Sequence, residues 1–202
     1  MSKVFYKNHE EEEGESLFLN NLFNGDKKTS NNKIYFYDEI NPLTALMLNK
    51  QINEKADELL TLSIKYSLES PIPLYILINS PGGDLFSGLS IMDNVTSCKV
   101  PVISRIEGVC ASAATFFHLA ATKREIRTHS HILIHELSSG HAGKYSDSKT
   151  HLENLDNFMK MMKSLYKERT KIPEKVLNDV LKKDLYLDAK LALKYGFVDA
   201  II

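Results

Sequence analysis

The residues whose types and spacing could support catalysis lie at the ends of two consecutive predicted strands. Ser112 follows the apolar run 100–106 and Gly108, and it stands among small residues typical of a helix start. The unpaired N–H groups and the dipole of a helix N-terminus favour negative charge, such as an alkoxide or a tetrahedral oxyanion. His135 stands at the exit of the next apolar run, residues 131–135. A serine on a strand-to-helix turn with a histidine nearby can form the nucleophile and the general base of a hydrolase.

A glycine turn precedes this stretch at Gly82-Gly83. A Pro-Gly-Gly turn ordinarily only reverses the chain, but its N–H groups can also face an oxyanion where a side chain would obstruct the approach. Strand, glycine turn and helix occur at 74–96 and again at 101–122, which favours an α/β layer of crossover units. Such folds place their sites at the ends of neighbouring strands. We therefore expect the glycine turn, Ser112 and His135 to converge, as in a serine hydrolase.

The elements that position these residues follow from capping and periodicity. A first strand is predicted at 34–37, and Asn41-Pro42 is typical of an N-cap followed by proline at the first helical position. The apolar residues of the helix that follows recur at steps of three and four: Leu48, Ile52, Ala56, Leu59, Leu62 and Tyr66.

The second half of the chain continues with a loop-like segment at 137–143 and then another long helix. That helix carries one apolar stripe: Leu152, Leu155, Met159, Met162 and Tyr166. A shorter helix at 174–181 and a strand at 197–202 close the sequence. Because no linker marks a second domain, residues 33–202 are predicted to form one domain, preceded by a polar, flexible arm at 1–32.

Composition excludes several classes of protein. The 202 residues are 43% hydrophobic, which suffices for a sizeable core. With a net charge of -1, the protein has no overall positive potential that would attract nucleic acid. The two cysteines fit neither a zinc ribbon nor a disulfide framework. The sequence has no apolar signal core and no run long enough to span a bilayer, so we expect a cytoplasmic protein with no membrane partner.

Two alternative functions would use residues close in sequence to Ser112 and His135. Cys110 also lies near the predicted helix start, so a Cys–His enzyme is an alternative, although its apolar neighbours favour a buried, inert thiol. His129, His131 and His135 share one parity and could in principle bind zinc. The lack of a carboxylate or cysteine at ligand spacing favours solvated histidines instead.

Several motifs resemble the proteolytic subunit of the Clp protease. The similarity runs in order from about Ile34 to the C-terminus. The motifs are YILINSPGG at 75–83, GLSIMD at 88–93, GVCASAA at 108–114, ILIHE at 132–136, DLYL at 184–187 and the closing segment 189–199.

The resemblance implies a role for each site residue. Ser112 would be the nucleophile, His135 the general base and Asp184 the acid that orients the histidine. Gly83 and Ala113 would supply the backbone N–H donors of an oxyanion hole. Spacing alone leaves Asp179, Asp184 and Asp188 open as the acid, so the assignment of Asp184 comes from the resemblance. The implied reaction is hydrolysis of peptide bonds without a cofactor.

The resemblance also implies a crotonase-like α/β fold of repeated strand–turn–helix units with a protruding handle helix. That helix would follow Asp147, and residues 138–145 would line the substrate groove. Seven subunits would form a ring, rings would stack in pairs, and an ATP-driven unfoldase would be the partner. Alternatives are an acyl-CoA enzyme of the same fold, a structural ring subunit, and a viral capsid-maturation protease.

The chain departs from the family pattern at several positions. Ala113-Ala114 replace the usual methionine and glycine, which changes the shape of the pocket. Met92 and Ser97 replace aromatic residues that would receive the unfoldase, and residues 1–32 do not resemble the family's apolar axial arm. Lys182-Lys183 stand where an acid–arginine contact ties one ring to the other. We therefore expect an intact active site with altered partner docking and ring pairing.

Overall fold

Strands and helices alternate along the chain in a computed structural model that describes residues 32–140 and 142–202. The predicted arm, residues 1–32, lies outside the described residues except for Asn32. The strands are β1 (Lys33–Phe36), β2 (Leu74–Ser80), β3 (Val102–Ala111), β4 (Lys123–Ile126), β5 (His131–Leu133), β6 (Tyr186–Asp188) and β7 (Ala200–Ile201). The helices are α1 (Pro42–Lys65), α2 (Leu85–Thr96), α3 (Ala114–Ala120), α4 (Tyr145–Arg169), α5 (Glu174–Lys183) and α6 (Ala189–Lys194).

The sheet is mostly parallel. Its main path runs β1-β2-β3-β4-β7, and each neighbouring pair on that path is parallel. β5 pairs in parallel with β3, and β6 pairs antiparallel with β5. Parallel neighbours require crossover connections, which the helices supply here. The predicted α/β class with repeated strand–turn–helix units is therefore confirmed.

Strand β3 is longer than the sequence suggested. The sequence predicts a strand over the apolar run 100–106 and a helix start among the small residues after Gly108, but β3 continues to Ala111 and α3 begins at Ala114. The side chain of Asn79 explains the difference, because its Oδ1 accepts a hydrogen bond of 3.0 Å from the Val109 N–H. It also fills the space beside Gly108, where an added Cβ would lie 2.5 Å from Asn79 Oδ1.

This glycine marks a change of neighbour along β3. Residues 103–106 pair with β4, whereas residues 109–111 pair with β5. The strand can therefore end between β2 and β5, and Ser112 follows directly at that position.

Helix α1 begins as predicted. Asn41 Oδ1 accepts from the N–H groups of Leu43 and Thr44, both at 2.9 Å. The predicted stripe is wrong at its end, because Tyr66 is exposed and Ser63 is buried instead. The Ser63 hydroxyl accepts from the Ile72 N–H at 2.9 Å, which satisfies this polar group inside the protein.

The polar strand β4 was missed in the sequence. Its charged side chains form ion pairs: Glu125 with Arg105 of β3 at 2.8 Å and with Lys123 of the same strand at 2.7 Å, and Arg124 with Asp199 at 2.6 Å. β6 and α6 were also missed, and β7 is shorter than the predicted strand at 197–202.

Helix α4 is buried only near its C-terminal end. Met162 and Tyr166 are its buried residues, whereas Leu152 of the same predicted stripe is 61% exposed. Only the C-terminal end of the stripe therefore packs into the core of this chain. No helix among the described residues is long and apolar enough to cross a membrane.

Neutral His118 forms hydrogen bonds that link α3 to β3 and to the segment of Phe197. Its Nε2 lies 3.2 Å from the Phe197 carbonyl oxygen, which can only accept, so Nε2 carries the proton. Its Nδ1 then accepts from the Ser104 hydroxyl at 2.7 Å. Burial, with help from the nearby Arg124 charge, lowers the pKa of His118 to about 3.

We predict that stability falls as the pH drops below about 6.5. Between about 6.5, the ordinary value, and about 3, the value in the folded protein, the unfolded chain binds a proton at His118 that the folded chain does not. Each pH unit in this window then costs about 1.4 kcal/mol of unfolding free energy. Thermal unfolding measured from pH 7 to pH 5 should show the decline, and His118→Asn should flatten its slope.

Carboxylates contribute at lower pH and can be separated from this effect. Burial alone would raise the pKa of Glu125 and of Asp199. Hydrogen bonds from Lys123 and Arg105 lower the pKa of Glu125, and hydrogen bonds from Arg124 lower the pKa of Asp199. Their stabilisation is therefore lost only below their ordinary values of about 4.5 and 3.8. An unchanged pH slope in His118→Asn would contradict the assignment to His118.

Candidate active site

The ends of three parallel strands meet at one edge of the sheet. The register places Ser80 of β2 beside Cys110 of β3, and Ala111 of β3 beside Leu133 of β5. The residues after these strand ends are the glycine turn, Ser112 and the loop that carries His135. The structure therefore brings together the three features that the sequence expected to converge.

Ser112 has a backbone conformation that side chains rarely adopt. Its φ is +53°, in the left-handed region, where a residue with a Cβ is strained. Its N–H donates to the Leu133 carbonyl at 2.8 Å, which fixes the turn to the end of β5. Its carbonyl accepts from the Thr115 N–H at 3.0 Å and from the Thr115 hydroxyl at 2.6 Å. A sharp, strained turn of this kind presents a side chain at the end of a strand.

Gly82 allows the turn at Ser112 to pack closely against the end of β2. The φ of Gly82 is +90°, and a Cβ added there would lie 2.6 Å from Ser112 Cβ and 2.5 Å from the Ala111 carbonyl oxygen. Glycine is therefore required both by the backbone conformation and by the contact with the serine.

Gly83 and Ala113 lie just after the ends of β2 and β3 at this edge. Within residues 32–140 and 142–202, neither N–H donates to a protein acceptor. The Gly83 turn is held by hydrogen bonds on either side of it, from the Ile40 N–H to the Gly82 carbonyl at 2.7 Å and from the Asp84 N–H to the Ile40 carbonyl at 2.8 Å. Unpaired, rigidly held N–H groups can stabilise an oxyanion.

A small pocket joins these donors to Ser112 and His135. Gly83, Ser112, Ala113 and His135 all line it. The rest of its wall is mainly apolar and comes from Leu85, Phe116, Leu137, Met162 and Tyr166. The pocket thus combines a hydroxyl, an imidazole and two backbone donors within an apolar wall.

His135 is half-buried, and its Nδ1 lies 2.6 Å from the carbonyl oxygen of Glu136. Because a carbonyl can only accept, Nδ1 carries the proton and Nε2 keeps a free lone pair. This is the tautomer that a base needs if it is to take a proton from a serine through Nε2.

Asp184 follows the helix that contacts the loop of His135. Among the described residues, its carboxylate forms no hydrogen bond with His135. Asp184 follows the last residue of α5, has a left-handed φ of +49°, and is exposed. The Glu136 N–H donates to the Leu181 carbonyl at 3.1 Å, so the last turn of α5 borders the histidine loop.

The other two candidate acids are placed differently. The Asp188 carboxylate caps α6 by accepting from the Leu191 N–H at 2.8 Å. Asp179 lies on an exposed face of α5. The Asp188 carboxylate is thus already used as a cap, whereas those of Asp179 and Asp184 form no hydrogen bond with the described residues.

Cys110 is fully buried at the end of β3. Burial raises the pKa of its thiol, which disfavours the nucleophilic thiolate. The prediction of a buried thiol is confirmed. His129 and His131 are exposed, and the described residues include no group of three or more side chains placed to hold a metal ion.

Sequence reasoning missed the hydroxyl groups behind Ser112. Thr115 appeared only as part of a predicted helix, and Tyr166 only as part of an apolar stripe. The Thr115 hydroxyl lies 2.7 Å from the Tyr166 hydroxyl. A threonine in the first turn of a helix is a weak signal for such a contact, and nothing in the sequence links it to Tyr166.

Comparisons with known proteins agree with this fold. The sequence model of the Clp protease family matches residues 24–202. The chain is 35% identical over 156 residues to the ATP-dependent Clp protease proteolytic subunit 2 of Treponema denticola. The aligned segment covers 76% of this chain and 77% of that protein.

Two further relatives come from other organisms. The chain is 35% identical over 132 residues to the ATP-dependent Clp protease proteolytic subunit of Oenothera elata subsp. hookeri, covering 63% of this chain and 53% of that protein. It is 31% identical over 152 residues to the subunit of the same name from Oltmannsiellopsis viridis, covering 74% and 78%.

These matches identify the class of the protein as a peptidase. The chain belongs to the Clp protease family, as the motifs in its sequence predicted.

We predict that Gly82→Ala disrupts the turn at Ser112. The new Cβ would contact Ser112 Cβ and the Ala111 carbonyl, and its backbone would remain at a positive φ. We expect a loss of more than about 1 kcal/mol in unfolding free energy and a large loss of peptide hydrolysis. Thermal unfolding and hydrolysis of a fluorogenic peptide would measure the two effects.

Gly140→Ala provides the matched control. No atom lies within 4 Å of a Cβ added at Gly140, so this variant should keep its stability; because Gly140 lies in the segment expected to line the substrate groove, it serves as the control for the unfolding measurement. Wild-type activity in Gly82→Ala would show that the close packing at Ser112 is not needed.

Proposed function

We propose that this chain is a serine endopeptidase in which Ser112 is the nucleophile and His135 is the general base. Gly83 and Ala113 supply the N–H groups that bind the oxyanion. The observation that carries the proposal is the shared pocket, in which the strained Ser112 turn, His135 and the two N–H groups lie together. Membership of the Clp protease family supports the same assignment.

The reaction follows from these positions. Ser112 Oγ attacks the carbonyl carbon of a peptide bond, and its proton passes to His135 Nε2. The carbonyl oxygen becomes an oxyanion that accepts from the N–H groups of Gly83 and Ala113. As the C–N bond breaks, His135 returns the proton to the leaving amine and an ester to Ser112 remains.

Water completes the cycle. It attacks the ester carbon and gives a proton to His135, which then returns a proton to Ser112 Oγ as the carboxylic acid leaves. No step requires a cofactor from this chain.

Asp184 is proposed as the acid that orients His135. In the structure, the Glu136 carbonyl accepts from Nδ1 and holds the tautomer that the reaction needs. A carboxylate at Nδ1 would also stabilise the imidazolium that forms when Ser112 is deprotonated. We propose that Asp184 replaces the Glu136 carbonyl as the acceptor for Nδ1 during the reaction.

An acyl-CoA enzyme of the same fold would need the two N–H donors but no serine–histidine pair. The presence of both Ser112 and His135 in the pocket favours the peptidase.

We also propose that the chain works as a subunit of seven-membered rings that stack in pairs and receive substrates from an ATP-driven unfoldase. The relatives are named as proteolytic subunits of an ATP-dependent protease. Large apolar side chains are exposed on α1 (Leu43, Leu46 and Met47) and on α4 (Leu152), which suits contacts between subunits.

Ser112→Ala should abolish peptide hydrolysis and leave the fold intact. Loss of a serine nucleophile costs on the order of 10⁶ in turnover in comparable triads, and loss of the orienting acid costs about 10⁴. Asp184→Asn should therefore retain a trace of activity. Initial rates on a fluorogenic peptide, with circular dichroism as the check of folding, would measure both.

Cys110→Ala is the matched control for the neighbouring nucleophile. It leaves no polar atom buried and should keep the activity. If Cys110→Ala were inactive while Ser112→Ala hydrolysed peptide normally, the proposed function would be wrong.

Ring pairing should be weak at low salt. Lys182 and Lys183 are exposed at the end of α5 and form no ion pair with the described residues. If they face their counterparts in a second ring, like charges oppose each other, and salt screens this repulsion over about 10 Å at 0.1 M. Mass determination across a salt series should show single rings at low salt and more double rings at high salt.

Lys182→Glu with Lys183→Arg would restore the acid–arginine pair that the family resemblance implies. This variant should form double rings at low salt. Equal stability of the wild-type double ring at low and high salt would contradict the role of the lysines, and a monomer throughout would contradict the ring itself.

A further inference from the structure

Two buried hydroxyl groups form a chain of hydrogen bonds that ends on the carbonyl of Ser112. Thr115 Oγ1 lies 2.6 Å from the Ser112 carbonyl oxygen and 2.7 Å from the Tyr166 hydroxyl. Thr115 and Tyr166 are 0% and 1% exposed, so these contacts do not compete with bulk water.

The direction of these hydrogen bonds follows from the number of protons. The Ser112 carbonyl can only accept, so the single Thr115 hydroxyl proton points to it. Thr115 Oγ1 then accepts from Tyr166, which becomes the donor. Burial raises the pKa of the Tyr166 hydroxyl, so it keeps its proton over the physiological range.

The Ser112 carbonyl belongs to the same peptide unit as the Ala113 N–H. A trans peptide is planar, and its C=O and N–H point in opposite directions. Hydrogen bonds from Thr115 to the carbonyl therefore aim the N–H of Ala113 toward the opposite side. They also polarise the amide, because hydrogen bonds in a chain strengthen one another.

We propose that Thr115 and Tyr166 are positioning residues for the oxyanion hole, which act through the Ser112–Ala113 peptide unit. The proposal rests on the proposed function, in which the Ala113 N–H binds the oxyanion. Tyr166 lies on α4, where its ring also packs on Phe116 and Phe197 at centroid distances of 6.1 and 6.0 Å. The C-terminal end of α4, through Tyr166, thereby helps to position the Ala113 N–H group.

This role makes a specific kinetic prediction. An oxyanion interaction forms only as the tetrahedral species develops, so its loss lowers kcat while KM stays unchanged. Loss of a whole donor costs about 10² to 10³ in kcat. A donor that is retained but poorly aimed should cost less, and we expect a decrease of about tenfold for Thr115→Val.

The variants separate the two hydroxyl groups. Tyr166→Phe keeps the Thr115 hydrogen bond to Ser112 and should lower kcat less than Thr115→Val does. Thr115→Ser keeps the hydroxyl and should restore nearly all of kcat. Because Tyr166 acts through Thr115, the double variant should be no slower than Thr115→Val alone.

The experiment measures kcat and KM of the full chain on a fluorogenic peptide, together with inhibition by a peptide aldehyde. The aldehyde adduct with Ser112 places an oxygen against the Ala113 N–H. Its inhibition should therefore weaken by the same factor as kcat. Tyr66→Phe is the matched control, because it also removes a tyrosine hydroxyl, but one that is 64% exposed at the end of α1 and does not line the pocket.

Each outcome decides the proposal. Unchanged kcat in folded Tyr166→Phe and Thr115→Val, a loss expressed in KM, or a decrease in Thr115→Ser equal to that in Thr115→Val would overturn it. If Thr115→Val does not fold, Tyr166→Phe and Thr115→Ser still carry the comparison. Full activity in Ser112→Ala would instead overturn the proposed function, and the positioning role would fall with it.

Discussion

The left-handed turn at Ser112 is the constraint on which the rest of the site depends. A residue with a Cβ holds this conformation only when its surroundings require it. Here the Leu133 carbonyl fixes its N–H, Thr115 fixes its carbonyl, and Gly82 leaves room for its Cβ. These contacts come from β5, α3 and the end of β2, so the order of strands in the sheet determines where the hydroxyl points. The fold and the proposed chemistry are linked through this one residue.

The histidine and the acid are less tightly fixed than the serine. His135 lies beyond the end of β5, and its Nδ1 is satisfied by the adjacent Glu136 carbonyl rather than by a carboxylate. Asp184 follows α5, whose last turn contacts the histidine loop through Leu181. The proposed nucleophile and the N–H groups of the proposed oxyanion hole thus lie at the sheet edge, whereas the position of the proposed orienting acid depends on the position of α5.

The sequence predicted the parts of the fold that rely on local chemistry. Asn41-Pro42 predicted the start of α1, and the glycine turn and the strand-to-helix turn at Ser112 predicted the edge where the pocket lies. It failed where tertiary contacts override local preference. Gly108 does not end β3 because Asn79 supports the chain from the neighbouring strand, and the charged strand β4 is stabilised by ion pairs that no periodicity reveals. The contact between Thr115 and Tyr166 spans 51 residues, so only the folded chain shows it.

The most direct test of the central claim is to identify the residue that a fluorophosphonate probe labels. The probe reacts with an activated serine, and the tryptic peptide 106–123 contains Ser112 as its only serine. Mass spectrometry of the digested protein should find the label in this peptide and on Ser112. Labelling of a different residue, or no labelling of protein that hydrolyses peptide, would contradict the account.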